Sequence, residues 1–468
     1  MNGKRWMLVC LCFAAACWIG QLSAGYSSQA AQATQAAEDE KPLIPLQELV
    51  DRAQPGEVVR LAAGDYAGPV VIGKKLILQG EGGALLAHDS PGPAITVKAE
   101  GVEIRGLGIR QKAEGEGSAA VLVRADKAVL RELDIRTRGS GILLREASGG
   151  RIEDNVITWD RAGARLSLGQ KGNGIDLYGS PDNRMIRNEI RNMKDGIYLE
   201  NSRSLTIENN KIYGSRYGIH CMYIDGTRIA GNRGESNFTG AMVMGVKDIV
   251  LSDNVFTKQS QNVHAQGILL YDVRTSLIER NRVDGNRVGI YLERSSDNEL
   301  RDNAVYRNFI GIQFADAEQN RIHGNDFVAN VIEAEAAQSG ENRIERNYWD
   351  SFEGLDLDGD GFSETAYAMN PFYKNLISRT PAFQLFFQSP GMTFLSDMVE
   401  EDRKRWAKDG SPSMHLLHPD LDPALERDQD PAAEKRERIP EKTFMLIIAS
   451  MLFAGSLVVI IYSRGAKS

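Results

Sequence analysis

The sequence predicts an all-β protein, a right-handed parallel β-helix with 22-residue coils. Asparagines recur every 22 residues with one interval of 27, and glycines that open short apolar stretches recur with the same spacing. The asparagines are Asn188, Asn210, Asn232, Asn254, Asn281, Asn303, Asn325 and Asn347, and the glycines are Gly174, Gly196, Gly218, Gly240, Gly267, Gly289 and Gly311. A fixed period of this length, with no room for a helix between coils, is typical of a β-solenoid. The strand-crossover preference makes it right-handed.

One coil shows the unit, GIYLERSSDNELRDNAVYRN, from Gly289 to Asn308. Three short strands alternate apolar and polar residues, so each is expected to bury one face. Asparagine at the corners tolerates left-handed backbone and can hydrogen-bond to the asparagine of the next coil. We assign residues 42–349 to the β-helix, with an N-terminal cap whose helical stripe is Leu46, Leu49 and Val50.

The chain carries targeting segments at both ends. Residues 1–24 are predicted to be a secretory signal peptide, with two basic residues ahead of an apolar run. Cys17 within it is alternatively a lipidated cysteine. Export leaves Cys221 as the one certain cysteine, so the mature domain has no internal disulfide.

Residues 443–462 contain no charge and are long enough to span a bilayer as a helix. This predicts an extracytoplasmic body that is anchored in the plasma membrane by one C-terminal helix. Residues 404–442 are charged and proline-punctuated and are predicted to be a flexible linker. The net charge of −8 argues against nucleic acid as a partner.

In two adjacent coils, the sequence of the first strand differs from that of the other coils. Most coils carry tyrosine and glutamate at its outward positions, as in GIYLE, but two adjacent coils read GIHCM and GAMVM. Stacking by period places His220, Met222, Met242 and Met244 in a rectangle on the outer surface. Thioether and imidazole ligands suit Cu(I), although surface methionines also suit a protein-docking face. Three interpretations stay open: a copper contact, a protein-docking face, or a surface with neither function.

Two longer loops precede this strand, between Asn155 and Gly174 and between Asn254 and Gly267. They are predicted to wall a groove over the outward columns. His264 lies in the second loop and is either a further copper ligand or a solvent-exposed histidine.

Residues 350–370 form an acidic loop with Asp356, Asp358 and Asp360 at alternate positions before a glycine. This spacing resembles the start of a calcium loop, with Glu364 contributing through water, but position 12 lacks the bidentate glutamate. A calcium-stabilised turn and an uncoordinated acidic turn remain alternatives.

Residues 371–403 are far richer in aromatic residues than the coils. They form either a C-terminal cap or an exposed segment that binds a partner. The side chains proposed for partner binding are Phe383, Phe386, Phe387, Met392 and Phe394.

The 22-residue coils, the ending NYWDSFEGLDLDGDGFSETAY and the downstream PAFQLFFQSPGMTFL together resemble the NosD family, over residues 45–400. The resemblance implies an accessory role in maturation of nitrous oxide reductase. The implied partners are an ABC transporter permease and ATPase, the reductase and a copper chaperone, and the implied assembly product is a copper–sulfide centre. The resemblance assigns no metal ligands, and the predicted membrane helix departs from a family that is usually a free periplasmic protein.

The competing class is a carbohydrate-binding or polysaccharide-modifying β-helix, whether lyase, hydrolase or epimerase. Such enzymes need clustered carboxylates with a basic residue. Asp176 and Glu293 lie five coils apart in the outward columns, too far for a paired acid and base, so we predict that the chain is not an enzyme. A surface adhesin or scaffold without metal is the second alternative.

Overall fold

The computed structural model describes residues 43–115, 117–161, 166–259, 265–337, 339, 341–369 and 407–421. They form a parallel β-solenoid of about 13 turns. Each regular coil contributes one strand to each of three sheets, so the predicted fold class is confirmed for the described part of the chain. Strands one coil apart pair in parallel, which makes residues about 22 positions apart direct neighbours on one wall.

Sheet 1 contains the strand that opens each coil with glycine. Its strands are Val70–Ile72, Pro93–Val97, Ala119–Val123, Ser140–Arg145, Ile175–Tyr178, Asp195–Glu200, Tyr217–Met222, Thr239–Lys247, Gln266–Arg274, Val288–Glu293, Ile310–Ala315 and Ile332–Ala337.

Sheet 2 follows sheet 1 in each coil and consists mostly of three-residue strands. Its strands are Val58–Leu61, Ile77–Gly80, Glu103–Arg105, Val129–Arg131, Arg151–Glu153, Arg184–Ile186, Thr206–Glu208, Arg228–Ala230, Val250–Ser252, Leu277–Glu279, Glu299–Arg301, Arg321–His323, Arg343–Glu345, Tyr367–Ala368 and Lys408–Asp409.

Sheet 3 completes the triangular cross-section. Its strands are Ile44–Pro45, Gly64–Ala67, Ala84–His88, Gly108–Gln111, Asp134–Thr137, Val156–Trp159, Glu189–Arg191, Lys211–Tyr213, Arg233–Glu235, Val255–Thr257, Arg282–Asp284, Ala304–Tyr306, Asp326–Val328 and Tyr348–Trp349.

The core is a continuous stack of inward-facing aliphatic side chains. In sheet 1 the column Ile175, Ile197, Ile219, Ala241, Ile268, Ile290 and Ile312 is almost wholly shielded from solvent. Cys221 lies in this core and is fully buried. Because strands alternate, the residue on each side of a core position faces outward, and this alternation defines the outer columns of sheet 1.

Asparagine ladders close the corners. Between Asn155 and Asn347, each ladder amide donates from Nδ2 to the Oδ1 of the next, as from Asn232 to Asn254 at 2.9 Å and from Asn254 to Asn281 at 2.9 Å. The same Oδ1 also accepts the backbone N–H of the preceding asparagine. This satisfies buried polar groups that would otherwise cost free energy. Asn286 and Asn308 belong to a second such ladder, which the sequence analysis did not identify.

At the N-terminal end, the α-helix Leu46–Arg52 buries Leu46 and Val50 in the core, and Leu49 packs partly against it. Gln47 fixes the helix to sheet 1, since its side chain accepts the backbone N–H of Val71 at 2.7 Å and donates to the Val71 carbonyl at 3.2 Å. The burial of Leu46, Leu49 and Val50 accounts for the apolar stripe in the sequence.

The far end differs from the prediction. Residues 404–442 were expected to form a flexible linker, but within this range residues 407–421 pack on the last coils. Asp409 pairs with Ile344 in parallel and with Tyr367 in antiparallel fashion. Further along, Asp326 accepts the backbone N–H groups of Leu417 at 3.0 Å and His418 at 2.7 Å. The linker prediction was wrong here because composition does not reveal that single buried acceptors can fix a polar segment.

Asp409 also ends the asparagine ladder. Its Oδ2 accepts the backbone N–H of Asn347 at 3.0 Å, the Asn347 side chain at 2.9 Å and Trp349 Nε1 at 3.0 Å. The carboxylate therefore takes the position that the amide of a further coil would occupy. Among the described residues, no helix is both long and apolar enough to cross a bilayer. The predicted signal peptide and membrane helix lie outside the described residues.

Candidate metal site on the outer face of sheet 1

The four residues singled out in GIHCM and GAMVM are neighbours on two adjacent strands of sheet 1. The register pairs His220 with Met242 and Met222 with Met244. Ile219 and Cys221, on either side of His220 in the chain, point into the core. We call His220, Met222, Met242 and Met244 the His/Met face.

The side chains of the His/Met face are more shielded than an outer surface position implies. His220 is only 6% exposed, whereas the three methionines are half-buried. The His220 ring lies edge-on between two tyrosines, with centroids 5.0 Å from Tyr198 and 4.8 Å from Tyr217. These rings shelter the imidazole from water without moving it into the core.

Asp195 orients the histidine. Its Oδ2 lies 3.0 Å from His220 Nδ1, and Arg216 binds the same carboxylate through Nε at 2.8 Å and a terminal nitrogen at 2.7 Å. Burial would raise the pKa of Asp195, but the hydrogen bonds from His220 and Arg216 outweigh it and hold that pKa below its ordinary value. Asp195 is therefore an ionised acceptor, and Nδ1 is the donor.

Donation from Nδ1 leaves Nε2 of a neutral imidazole as the nitrogen with a free lone pair. His220 Nε2 is buried and has no hydrogen-bond partner among the described residues. Metal-bound histidines characteristically donate their other ring nitrogen to a carboxylate. The Asp195–His220 pair has this arrangement, and its unpartnered nitrogen belongs to a face otherwise made of thioethers.

Tyr198 lies between Met222 and a carboxylate. Its hydroxyl lies 2.7 Å from Glu200 Oε2 and 3.4 Å from Met222 Sδ. Burial and the neighbouring Glu200 raise the pKa of Tyr198, so the phenol keeps its proton and can donate to either acceptor. Met222 Sδ is thus already aimed at polar groups rather than at the core.

The repeat pattern of the sequence identifies the histidine and the methionines but not Asp195 and Arg216. Asp195 immediately precedes Gly196 and lies in register with Tyr217, so it reaches His220 diagonally, across one coil. The 22-residue period could have placed Asp195 in the coil next to that of His220. It could not show which side chains would turn toward His220.

The structure brings together three of the four residues predicted for calcium. One carboxylate oxygen each of Asp356, Asp358 and Glu364 lies within 4.8 Å of the others. Asp360 is not part of this group, and its Oδ1 accepts the backbone N–H of Phe362 at 2.9 Å. Asp356 accepts two backbone N–H groups, from Gly359 and Gly361, so the loop is held by its own hydrogen bonds.

Several predicted residues lie outside the described residues. His264 is one of them, since residues 260–264 are not described. The proposed partner-binding residues are the others, namely Phe383, Phe386, Phe387, Met392 and Phe394. Their roles stay predictions.

Fold and site define a parallel β-helix protein with sheltered imidazole and thioether groups on one outer wall. Residues 164–357 match the family model described as NosD, periplasmic copper-binding protein. The chain is 29% identical over 385 residues to the probable ABC transporter binding protein NosD of Pseudomonas aeruginosa, covering 72% of this chain and 82% of that protein. It is 27% identical to the protein of the same description from Stutzerimonas stutzeri, over 72% and 81% of the two chains. The chain is therefore similar to the NosD family model over residues 164–357 and to these two NosD proteins over 72% of its length.

Among solved structures, the chain is similar to the A-module of the mannuronan C-5 epimerase AlgE6 of Azotobacter vinelandii. That match has a TM-score of 0.45 and 11% identity and covers 64% of this chain and 94% of the other. A complex of the alginate lyase AlyF-OU02 matches with a TM-score of 0.48 and 14% identity, over 64% and 82% of the two chains. Similarity at this level carries no conclusion about activity.

Proposed function

We propose that this protein is an extracytoplasmic accessory factor that binds Cu(I) on the His/Met face. In this role it works with an ABC transporter to assemble the copper–sulfide centre of nitrous oxide reductase. The observation that carries this proposal is the buried Nε2 of His220, which has no hydrogen-bond partner among the described residues. His220 lies in register with Met242, and Asp195 orients its ring. The family description as a periplasmic copper-binding protein and the printed names of the two relatives support this proposal.

The ligand chemistry fits copper in its reduced state. Imidazole nitrogen and thioether sulfur are soft or intermediate donors, and Cu(I) prefers them over the oxygen ligands that suit Ca²⁺ or Mg²⁺. His220 Nε2 and the sulfurs of Met222, Met242 and Met244 would hold the ion. The aromatic rings of Tyr198 and Tyr217 would exclude water from one side, which disfavours oxidation to the better-hydrated Cu(II).

The proposed roles of the remaining segments follow from this function. Residues 371–403 are proposed to dock the transporter, with the copper chaperone as the source of the ion and the reductase as its destination. The membrane helix at 443–462 is proposed to keep the body at the membrane where the transporter lies. The body itself is proposed to be exported by the signal peptide at 1–24.

Competition with a chromophoric Cu(I) chelator tests the metal proposal. The exported domain should withdraw Cu(I) from the chelator, and a variant with His220, Met222, Met242 and Met244 all changed to alanine should lose at least tenfold in affinity, since four ligands are removed. Asp356→Asn, at a carboxylate remote in sequence, is the matched control and should retain the wild-type affinity. Equal affinities of wild type and the quadruple variant would exclude this site.

A second experiment tests the partner. The full-length chain should co-purify with the transporter permease and ATPase from solubilised membranes, and changing Phe386 and Phe387 to serine should reduce that recovery. Unchanged recovery would place the transporter contact elsewhere and leave the copper proposal to be judged separately.

The carbohydrate-active alternative is less well supported by the site. A polyuronate needs free cationic groups for its carboxylates, yet Arg216 is bound to Asp195 and Arg145 to Asp176 at 2.7 Å. Incubating the purified domain with uronate polymers checks this alternative, and measurable turnover would favour the enzyme. A metal-free adhesin is expected to show neither Cu(I) binding nor turnover.

A further inference from the structure

Two carboxylates beside the His/Met face have their charge cancelled by arginine. Arg216 binds both oxygens of Asp195, at 2.8 and 2.7 Å. Two coils before His220, the Asp176 carboxylate lies 2.7 Å from the Arg145 guanidinium, and Asp176 is the register neighbour of Tyr198. Both acids are largely shielded from solvent, so in each case the arginine rather than water balances the charge.

A third carboxylate is left without such a partner. Glu200 is the register neighbour of Met222 and accepts the Tyr198 hydroxyl at 2.7 Å. No lysine or arginine forms an ion pair with it among the described residues. Of the three carboxylates Asp176, Asp195 and Glu200, only Glu200 therefore keeps a charge that no cation among the described residues compensates, and one such charge balances a monovalent cation.

We propose that Arg216 is a specificity-determining residue that makes the His/Met face selective for monovalent soft cations, Cu(I) or Ag(I), against Zn(II) and Cu(II). This inference rests on the proposed function. An ion with two charges gains twice as much as a monovalent ion from any uncompensated carboxylate nearby. By cancelling Asp195, Arg216 removes the term that would favour the divalent ions, while leaving Asp195 free to orient His220.

The geometry explains why arginine occupies this position. A guanidinium can bind both carboxylate oxygens at once and stack on an aromatic ring, which an ammonium cannot do. The Arg216 guanidinium lies 4.5 Å from the centroid of Tyr217, and the same ring packs edge-on against His220. Charge cancellation and shelter of the imidazole thus come from one contiguous group of side chains.

The test compares Cu(I) and Zn(II) affinities of the exported domain, each measured by competition with a chelator specific for that ion. Arg216→Gln should raise the Zn(II) affinity about tenfold or more, and change the Cu(I) affinity by a smaller factor in the same direction, because it uncovers one charge. The double variant Arg216→Gln with Asp195→Asn should return the Zn(II) affinity to the wild-type value. Arg187→Gln is the matched control, since Arg187 makes an equivalent two-oxygen contact with Asp154 outside sheet 1.

Nitrogen-15 NMR of the His220 ring separates charge from structural damage. The tautomer with the proton on Nδ1 should persist in Arg216→Gln, because the acceptor Asp195 remains. Glu200→Gln offers a second route that leaves Asp195 and Arg216 intact, and it should lower the Cu(I) affinity severalfold.

Three results would overturn the inference. One is an unchanged Zn(II) to Cu(I) affinity ratio in Arg216→Gln with wild-type Cu(I) binding at the His/Met face, which leaves the proposed function standing. Another is an unchanged Cu(I) affinity in Glu200→Gln. The third is equal Cu(I) affinity of wild type and the quadruple alanine variant, which removes the proposed metal site as well.

Discussion

Glu333 is a buried acid at the far end of sheet 1, in the strand Ile332–Ala337. Its oxygens accept hydrogen bonds from the backbone N–H of Ser351 at 3.0 Å, the Ser351 hydroxyl at 2.8 Å and the Tyr367 hydroxyl at 2.7 Å. Burial, together with a hydrogen bond to the Asp350 carboxyl, raises the pKa of Glu333 to about 8. This one side chain thus holds the acidic loop against the last coil in its protonated form.

The shift predicts that the C-terminal end loosens as pH rises. A carboxyl with a raised pKa in the folded state stabilises fully below its unfolded value, near 4.5, and this stabilisation is lost as pH rises through about 8. Amide hydrogen exchange of residues 332–369 should therefore quicken between these two values, relative to coils further from this end. Glu333→Gln should abolish that dependence, whereas the exposed Glu318→Gln should retain it. A flat profile in the wild type would contradict the assignment.

The His/Met face shows how far single residues can be predicted from the sequence. Periodicity alone paired His220 with Met242 and Met222 with Met244, because a 22-residue winding fixes which outward side chains stack. It did not identify Asp195, which reaches His220 from the preceding coil and from a different column. A period fixes the positions of Cα atoms, but the direction of a side chain depends on its rotamer and its neighbours.

At the scale of an element, the acidic turn Asp356–Glu364 is built like a cation-binding loop with one ligand missing. Three carboxylates converge within 4.8 Å, while Asp360 is used to hold the turn. Backbone N–H groups already satisfy much of their hydrogen-bonding capacity. Calcium binding at this turn is our proposal.

Calcium titration monitored by calorimetry checks the turn. We expect binding in the range of extracellular calcium modules, about 10⁻⁴ to 10⁻³ M, because few carboxylates take part and no bidentate glutamate closes the loop. Asp356→Asn with Asp358→Asn should abolish the heat of binding, while Asp360→Asn should change it by less than threefold. Wild-type titration without heat would show an acidic turn held only by its own hydrogen bonds.

The elements of the coils followed the sequence closely, whereas residues 407–421 did not. Short alternating strands repeat many times, so each coil reinforces the same prediction. The segment around Asp409 occurs once and has the composition of a linker. Its order depends on long-range contacts with Asn347, Ile344 and Asp326, which no local pattern encodes.

On the scale of the whole molecule, stability is distributed along one axis. Each coil contacts mainly the coils above and below it, so the ends of such a solenoid are the places where opening begins. At the far end, Asp409 substitutes for a further coil by accepting three hydrogen bonds from Asn347 and Trp349. The last coil is therefore closed by the Asp409 carboxylate, which lies 62 residues after Asn347 in the sequence.

Removing this acid should open the last coils without unfolding the rest. Asp409→Ala leaves three buried donors without an acceptor, which costs about 2–4 kcal/mol locally. Hydrogen exchange should rise in residues 321–349 and stay unchanged near Asn210. Asp409→Asn keeps one acceptor oxygen and should show a smaller effect. A uniform loss of protection along the whole chain would indicate that the molecule unfolds as one unit instead.

The in-register winding has a mechanical consequence. A load applied between the two ends would pull on the terminal coil first, because the neighbouring coils share no covalent connection except the chain that runs from one to the next. Each rupture would release about 22 residues and lengthen the tether by roughly 70 Å. The force trace should then be a sawtooth with longer teeth for two coils, the 27-residue coil from Asn254 to Asn281 and the 33-residue coil from Asn155 to Asn188.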